Sequence, residues 1–138
     1  MNFLLDTNAC IALMKGRPPA VRSNFQSAIT AHHAVFVSSV VAFELWYGQA
    51  KSAQPELNRR RLEQFLAGEI SVLSFDHEDA EAAGAIRAVL EASGRPIGAY
   101  DLLIAGQALR RKFTLVTANV TAFARIKGLA WQDWSKLA

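Results

Sequence analysis

Short apolar runs alternate with longer stretches of helical spacing along this chain. Phe3-Leu4-Leu5, Val35-Phe36-Val37, Ile70-Ser71-Val72-Leu73 and Thr114-Leu115-Val116 have the length and composition of buried strands, and Ala130-Trp131 marks a fifth. Between them the spacing predicts helices over about 8–15, 18–31, 40–51, 55–68, 76–93 and 98–112. Pro18-Pro19 suits the start of the second helix, where a missing N–H leaves no bond unmade. Asp76 is placed to cap the fifth helix, and Gly94-Arg95-Pro96 to stop it. Strands and helices alternating in this order predict an α/β fold: a central, mainly parallel sheet of about four to five strands with helices on both faces. No repeat, low-complexity tract or linker breaks the 138 residues, so residues 1–138 read as one domain.

Composition narrows the class. Hydrophobic residues make up 51% and charged residues 20%, which excludes a disordered tail. The one cysteine, Cys10, excludes internal disulfides and cysteine-built zinc sites and reads as a small buried apolar group. Fifteen Lys and Arg against 12 Asp and Glu give a formal charge of +3, a mild pull toward a polyanion. Residues 23–43 carry no formal charge, but Gln26, Thr30, His32, His33 and the strand at Ala34–Val37 argue against a membrane span. Met1 to Asp6 has no basic leader. A soluble, cytoplasmic protein is expected.

Three acids stand where a fold would not choose them. Asp6 follows the first strand, and in α/β sheets ligands meet the carboxyl ends of strands. Alone, Asp6-Thr7-Asn8 is read as a helix cap. Glu44 has Val41, Leu45 and Gly48 as same-face helical neighbours, and Asp101 has Ile97, Ile104 and Ala105. Neither has a Lys or Arg three or four residues away. A lone carboxylate on a buried helix face costs several kcal/mol unless a cation or donors compensate it. Each acid alone is equally explained by a place at the rim or a distant arginine. Taken together, three of them are most economically explained by a shared divalent cation, and oxygen ligands select Mg²⁺ or Mn²⁺ over zinc. Gly48, Gly98, Ala99, Ala105 and Gly106 would let two helices approach, or serve simple packing.

At this point the chain resembles a known family. Leu4-Leu5-Asp6-Thr7-Asn8 and Ser38-Ser39-Val40-Val41-Ala42-Phe43-Glu44-Leu45-Trp46-Tyr47-Gly48 look like the first two signatures of PIN-domain nucleases. Ile97-Gly98-Ala99-Tyr100-Asp101-Leu102-Leu103-Ile104-Ala105 looks like the third, and Leu115-Val116-Thr117-Ala118-Asn119 with Phe123 and Gly128-Leu129 like the fourth. Their order and spacing, from Leu4 to Trp134, resemble the VapC toxins of bacterial toxin–antitoxin pairs. The resemblance implies a three-layer α/β/α PIN-like domain and a Mg²⁺- or Mn²⁺-dependent endoribonuclease that cuts structured RNA, commonly tRNA or rRNA. It also implies a homodimer, a cognate VapB-type antitoxin, and contact with operator DNA only through that antitoxin. Carried over, Asp6, Glu44 and Asp101 form the acidic triad. The fourth position, often Asp in the wider superfamily, is Asn119 here, a neutral amide that weakens the case for a second metal.

Under this reading Asp6 and Asp101 hold the metal, directly or through water, while Glu44 completes the set or accepts the proton of the attacking water. Thr7, Asn8, Ser39 and Thr117 are candidates to orient these ligands, each equally explained as a turn or cap residue. Lys15, Arg17 and Arg22, soon after the Asp6 motif, are candidate phosphate contacts. Arg59-Arg60-Arg61 and Arg110-Arg111-Lys112 read as solvated helix faces. Trp46 and Tyr47 are candidates to stack bases or receive an antitoxin, or else to pack in the core or a dimer. Trp131 and Trp134 read as a C-terminal packing anchor. Three rival readings compete with this one. A metal-free ribonuclease would need His32, His33 or His77 as acid and base, yet no group is placed to orient them. A PIN-fold binding module that no longer cuts is slightly favoured by Asn119 and opposed by the triad. A haloacid dehalogenase-type phosphatase would need an acid where Asn8 stands.

Overall fold

The computed structural model describes residues 1–136. Five strands form one sheet: β1 (Asn2–Leu5), β2 (Ala34–Ser38), β3 (Ser71–Leu73), β4 (Thr114–Val116) and β5 (Trp131–Gln132). Their order is β3-β2-β1-β4-β5, and every pairing is parallel rather than most of them. Helices surround the sheet: α1 (Thr7–Lys15), α2 (Pro19–Thr30), α3 (Ser39–Ala50), α4 (Pro55–Leu66), α5 (His77–Ala92), α6 (Ala99–Arg111) and α7 (Val120–Phe123). Six of them match the helices that spacing predicts to within two residues at either end. The short α7 was not anticipated, because one turn is too short to show a period. Among the described residues no helix is long and apolar enough to cross a membrane.

The central strands β1 and β4 are continuous apolar runs because helices cover both faces, whereas the edge strands β3 and β5 keep side chains in water. Leu4, Leu5, Val37 and Leu115 are fully buried at the centre of this core. Cys10 is buried with them, and burial pushes its thiol well above the usual range, with the Asp6 charge adding to the rise. The C-terminal anchor is half as expected. Trp134 is buried edge-on against Phe3, 5.1 Å between ring centres, while Trp131 lies largely open on edge strand β5.

Helices α5 and α6 pack most tightly. A Cβ on Gly106 would lie 2.5 Å from the Ala83 backbone nitrogen, so only glycine allows this approach. The same pair is pinned by charge, and here the basic run at the end of α6 departs from the sequence reading. Arg110 and Arg111 are not a solvated face. The Arg110 Nε donates to Asp79 Oδ1 at 2.8 Å, and Arg111 Nη2 donates to Asp79 Oδ2 at 3.1 Å. Both also reach Asp76, the residue that caps α5 in a reciprocal capping box with Asp79. The other run keeps to the sequence reading: Arg59, Arg60 and Arg61 are exposed on α4, with Arg59 over the Trp46 ring, 5.2 Å from its centre.

Asp79 is fully buried. Burial pushes its carboxyl up, but hydrogen bonds from Arg111, the Asp76 amide and Arg110 outweigh it and hold the group at about 2. The folded value is below the ordinary one of 3.8, so this contribution to stability is complete above about pH 4 and is lost as the pH falls through 2. Asp79→Ala would leave two arginines facing a buried gap. It should lower the unfolding free energy in urea by about 3 kcal/mol at pH 7, and by progressively less as the pH approaches 2.

Candidate active site

Strand β1 sits between β2 and β4, and the chain crosses from one half of the sheet to the other before β4. The carboxyl ends of β1 and β4 therefore border the switch point of the sheet, where α/β folds form their crevice. Asp6 stands at that point, its amide donating to Val116 O at 3.0 Å across the two strands. It is also the cap of α1: Oδ1 accepts from the Ala9 amide at 2.8 Å. The cap bond uses Oδ1 alone, so capping does not itself exclude a role at the crevice.

Glu44 and Asp101 come from α3 and from the first turn of α6, where a carboxylate is favoured by the helix dipole. Both are half-buried, not enclosed by apolar neighbours as the helical spacing suggested. Thr7 Oγ1 donates to Glu44 Oε1 at 2.7 Å, which ties the start of α1 to the middle of α3. The two-residue unit Asp6-Thr7 thus presents one acid and orients another.

The electrostatics join all three. Burial raises the Asp6 carboxyl above its ordinary value; hydrogen bonds from Thr117 and the Ala9 amide draw it back, and the charges of Asp101 and Glu44 raise it again. Burial and then the Glu44 charge raise Asp101. Among the described residues, no Lys or Arg pairs with any of the three. No three His, Cys, Asp or Glu side chains among the described residues stand close enough to enclose an ion by themselves. Uncompensated carboxylates that share a field but do not close into a cage suit a hard divalent ion that keeps part of its water shell. Mg²⁺ is commonly bound in this way, through one or two carboxylates. Asp6, Glu44 and Asp101 can hold such an ion, with oxygen donors throughout.

The supporting candidates separate. Thr117 is buried, bonds Asp6, and accepts the Asn119 amide at 2.9 Å. Asn119 is exposed at the start of α7, with no side-chain cap bond to occupy it. Asn8 is exposed. Ser39 Oγ accepts from the Phe75 amide at 3.0 Å, so it fastens α3 to the segment after β3 rather than serving the acids. Arg22 donates to the carbonyls of Leu13 and Met14 at 3.0 and 2.9 Å, closing the end of α1. Lys15 and Arg17 are exposed. A cleft of about 920 Å³ between α1, α3 and α4 opens onto Glu44 and is lined by Lys15, Arg22 and Arg61. Arg61 was missed because its run of three arginines reads as surface; its position beside the buried Leu62 was the available signal. His33 faces the N-terminal end of β1, with Nδ1 3.1 Å from the Met1 amino group, and His32 adjoins it. Asp6 stands beyond the other end of that strand, so these histidines do not converge on the acids. His77 is exposed at the start of α5.

The chain matches the PIN domain family over residues 3–129. The tRNA(fMet)-specific endonuclease VapC of Shigella flexneri is 42% identical over 135 residues, covering 98% of this chain and 99% of that protein. Ribonuclease VapC2 of Rickettsia felis is 35% identical over 136 residues, covering 99% and 100%. Among solved structures, DNA-bound VapBC from Salmonella typhimurium superposes with a TM-score of 0.88 at 39% identity, over 97% of this chain and 98% of that one. VapBC2 from Rickettsia felis, bound to a DNA fragment from the promoter, has the same TM-score at 33% identity, over 96% and 98%.

A raised acid in a folded protein weakens stability once the pH exceeds its ordinary value, and the penalty vanishes below it. Asp6→Asn removes the charge and keeps a good cap. At pH 7, without metal, it should raise Tm by about 3 °C, a gain that disappears near pH 4 in a thermal melt.

Proposed function

Because the chain belongs to the PIN-domain family, and within it to the VapC ribonucleases, we propose that it hydrolyses phosphodiester bonds of structured RNA at Asp6, Glu44 and Asp101 as the toxin of a toxin–antitoxin pair. What carries the residue assignment is that burial and the charges of neighbouring acids raise the Asp6 and Asp101 carboxyls, Glu44 being one of those charges, with no Lys or Arg among the described residues paired to any of the three. A divalent cation, Mg²⁺ or Mn²⁺, would supply a more acidic water and stabilise the charge that builds on phosphorus.

The chain's own groups do the rest. Asp6 is immobilised by the Ala9 amide and by Thr117, so it offers a fixed carboxylate at the end of the central strand. Asp101 faces it from α6. Glu44, its Oε1 held by Thr7, is oriented to accept the proton of the attacking water. Attack by water in line with the leaving 3′ oxygen leaves 5′-phosphate and 3′-hydroxyl ends. Asn119 is a neutral donor at the rim, which favours one tightly held metal over two. With the three acids committed to the site, nine acids remain against 15 basic residues, so the body around the centre is basic. Lys15 in the cleft beside Glu44, and Arg17 near it, suit contacts to RNA phosphates.

The partner follows from the relatives, whose structures are VapBC complexes. A cognate VapB-type antitoxin accompanies this chain and brings it to operator DNA. The substrate is a structured RNA, with tRNA the first to examine, because a relative 42% identical is named for tRNA(fMet). We place the pair in the cytoplasm, where RNA lies, and the toxin as a homodimer.

Incubating the purified chain with tRNA and Mg²⁺ or Mn²⁺, then sequencing the ends, tests the reading. Cleavage should leave 5′-phosphates and stop in EDTA; cleavage that persists in EDTA would overturn it. Asp101→Ala should abolish cutting; expression of the chain without its antitoxin should arrest growth, and Asp6→Ala should remove that arrest. Thr7→Val keeps the shape but frees Glu44, and should slow cleavage by about 10- to 100-fold.

A further inference from the structure

Two of the three acids are held still by a neighbour. Asp6 accepts from the Ala9 amide and from Thr117, and Glu44 accepts from Thr7. Among the described residues nothing donates to the Asp101 carboxylate, so its place is set by the backbone that begins α6. That beginning is thinly secured. The Arg95 amide donates back to Leu90 O at 2.8 Å, so α5 governs the chain as far as Arg95. Beyond it Pro96 has no N–H, and among the described residues neither the Ile97 nor the Gly98 amide donates to a backbone carbonyl. Gly98 stands at the cap of α6 and offers no side chain to hold it. Residues 94–100 are exposed except for Ile97, which is half-buried against the core. The contacts that pin α6, Gly106 on Ala83 and the two arginines on Asp79, lie more than a turn further along the helix.

One side chain crosses to this segment. Arg125 Nη1 donates to Pro96 O at 3.2 Å. Arg125 is half-buried between the buried Phe123 and Ile126, and its charge meets no carboxylate among the described residues. It follows α7, whose cap residue Asn119 donates its amide to Thr117, the same residue that bonds Asp6. Thr117, α7 and Arg125 thus join the strand end that holds Asp6 to the loop that delivers Asp101.

We propose that Arg125 is a positioning residue, which sets Asp101 toward Asp6 by fixing the loop before α6 at Pro96. The inference rests on the nuclease reading, which says what Asp101 is positioned for. Direct contact with an RNA phosphate is the competing use of this guanidinium. Two observations favour positioning. Arg125 is half-buried where Lys15, Arg17 and Arg95 are exposed, and its donor is spent on a segment with no other side-chain tie among the described residues.

The test compares Arg125→Ala and Arg125→Lys with the wild type and with Arg95→Ala, which removes a neighbouring charge that ties nothing down. In Arg125→Ala, hydrogen exchange at the Ile97, Gly98 and Asp101 amides should quicken by about tenfold, the worth of one hydrogen bond, while α5 and β1 keep their protection. Mn²⁺ binding, followed by electron paramagnetic resonance without RNA, should weaken by about tenfold, and kcat should fall by a similar factor with KM for RNA unchanged. Arg125→Lys keeps a donor on a long stem and should recover part of each loss; Arg95→Ala should show none. Exchange needs neither metal nor RNA. A wild type that cuts no RNA, with the local change in exchange intact, would support the tie and sink only the nuclease reading. Unchanged exchange and Mn²⁺ binding in Arg125→Ala would overturn the proposal. So would a raised KM with kcat intact, which makes Arg125 a phosphate contact. Faster exchange throughout the chain with a lowered Tm would overturn it too, and leave Arg125 a part of the scaffold alone.

Discussion

A carboxylate at the end of the central strand sets the terms for this molecule. Asp6 has to be buried, because β1 is flanked on both sides and covered on both faces, yet it has to carry charge to be useful. Its neighbours answer only part of that conflict. The Ala9 amide and Thr117 steady the charged form, while Asp101 and Glu44 oppose it. The fold leaves the remaining imbalance open at the crevice, where a cation from solution can reach it. Stability is given up at the residue proposed to carry the chemistry.

The opposite end of the α5–α6 pair shows how the same chain treats an acid that is not meant to react. Asp79 is more deeply buried than either Glu44 or Asp101, and two arginines, a capping box and the Gln107 amide surround it. Asp79 is satisfied and holds the scaffold; the acids of the proposed site are left without such partners among the described residues. That contrast separates structural from functional carboxylates more sharply than burial does.

Much of this was legible in the sequence. Apolar runs placed all five strands, and caps such as Asp76 and stops such as Gly94 placed helix ends, because those signals are local. Asp6, Glu44 and Asp101 stood out as charges without a local partner, and the structure provides no distant one among the described residues. What was not legible depends on the third dimension. Whether Arg110 and Arg111 are solvent-facing depends on α5 folding back against α6, which no window of sequence contains. Arg22 reads as a phosphate contact by position but spends its guanidinium on the end of α1. Phe43 and Tyr100 carry no local signal of exposure; only the packing of α3 beside α6 shows that they face outward together.

Cys10 carries a consequence of its own. It is the chain's one thiol, and it is sealed one helical turn beyond Asp6 with its proton held tightly. The reactive thiolate is therefore scarce and out of reach of oxidants and alkylating agents alike. A cell under oxidative stress therefore finds no thiol on this chain through which to silence or release it, and disulfide exchange has no hold on the protein.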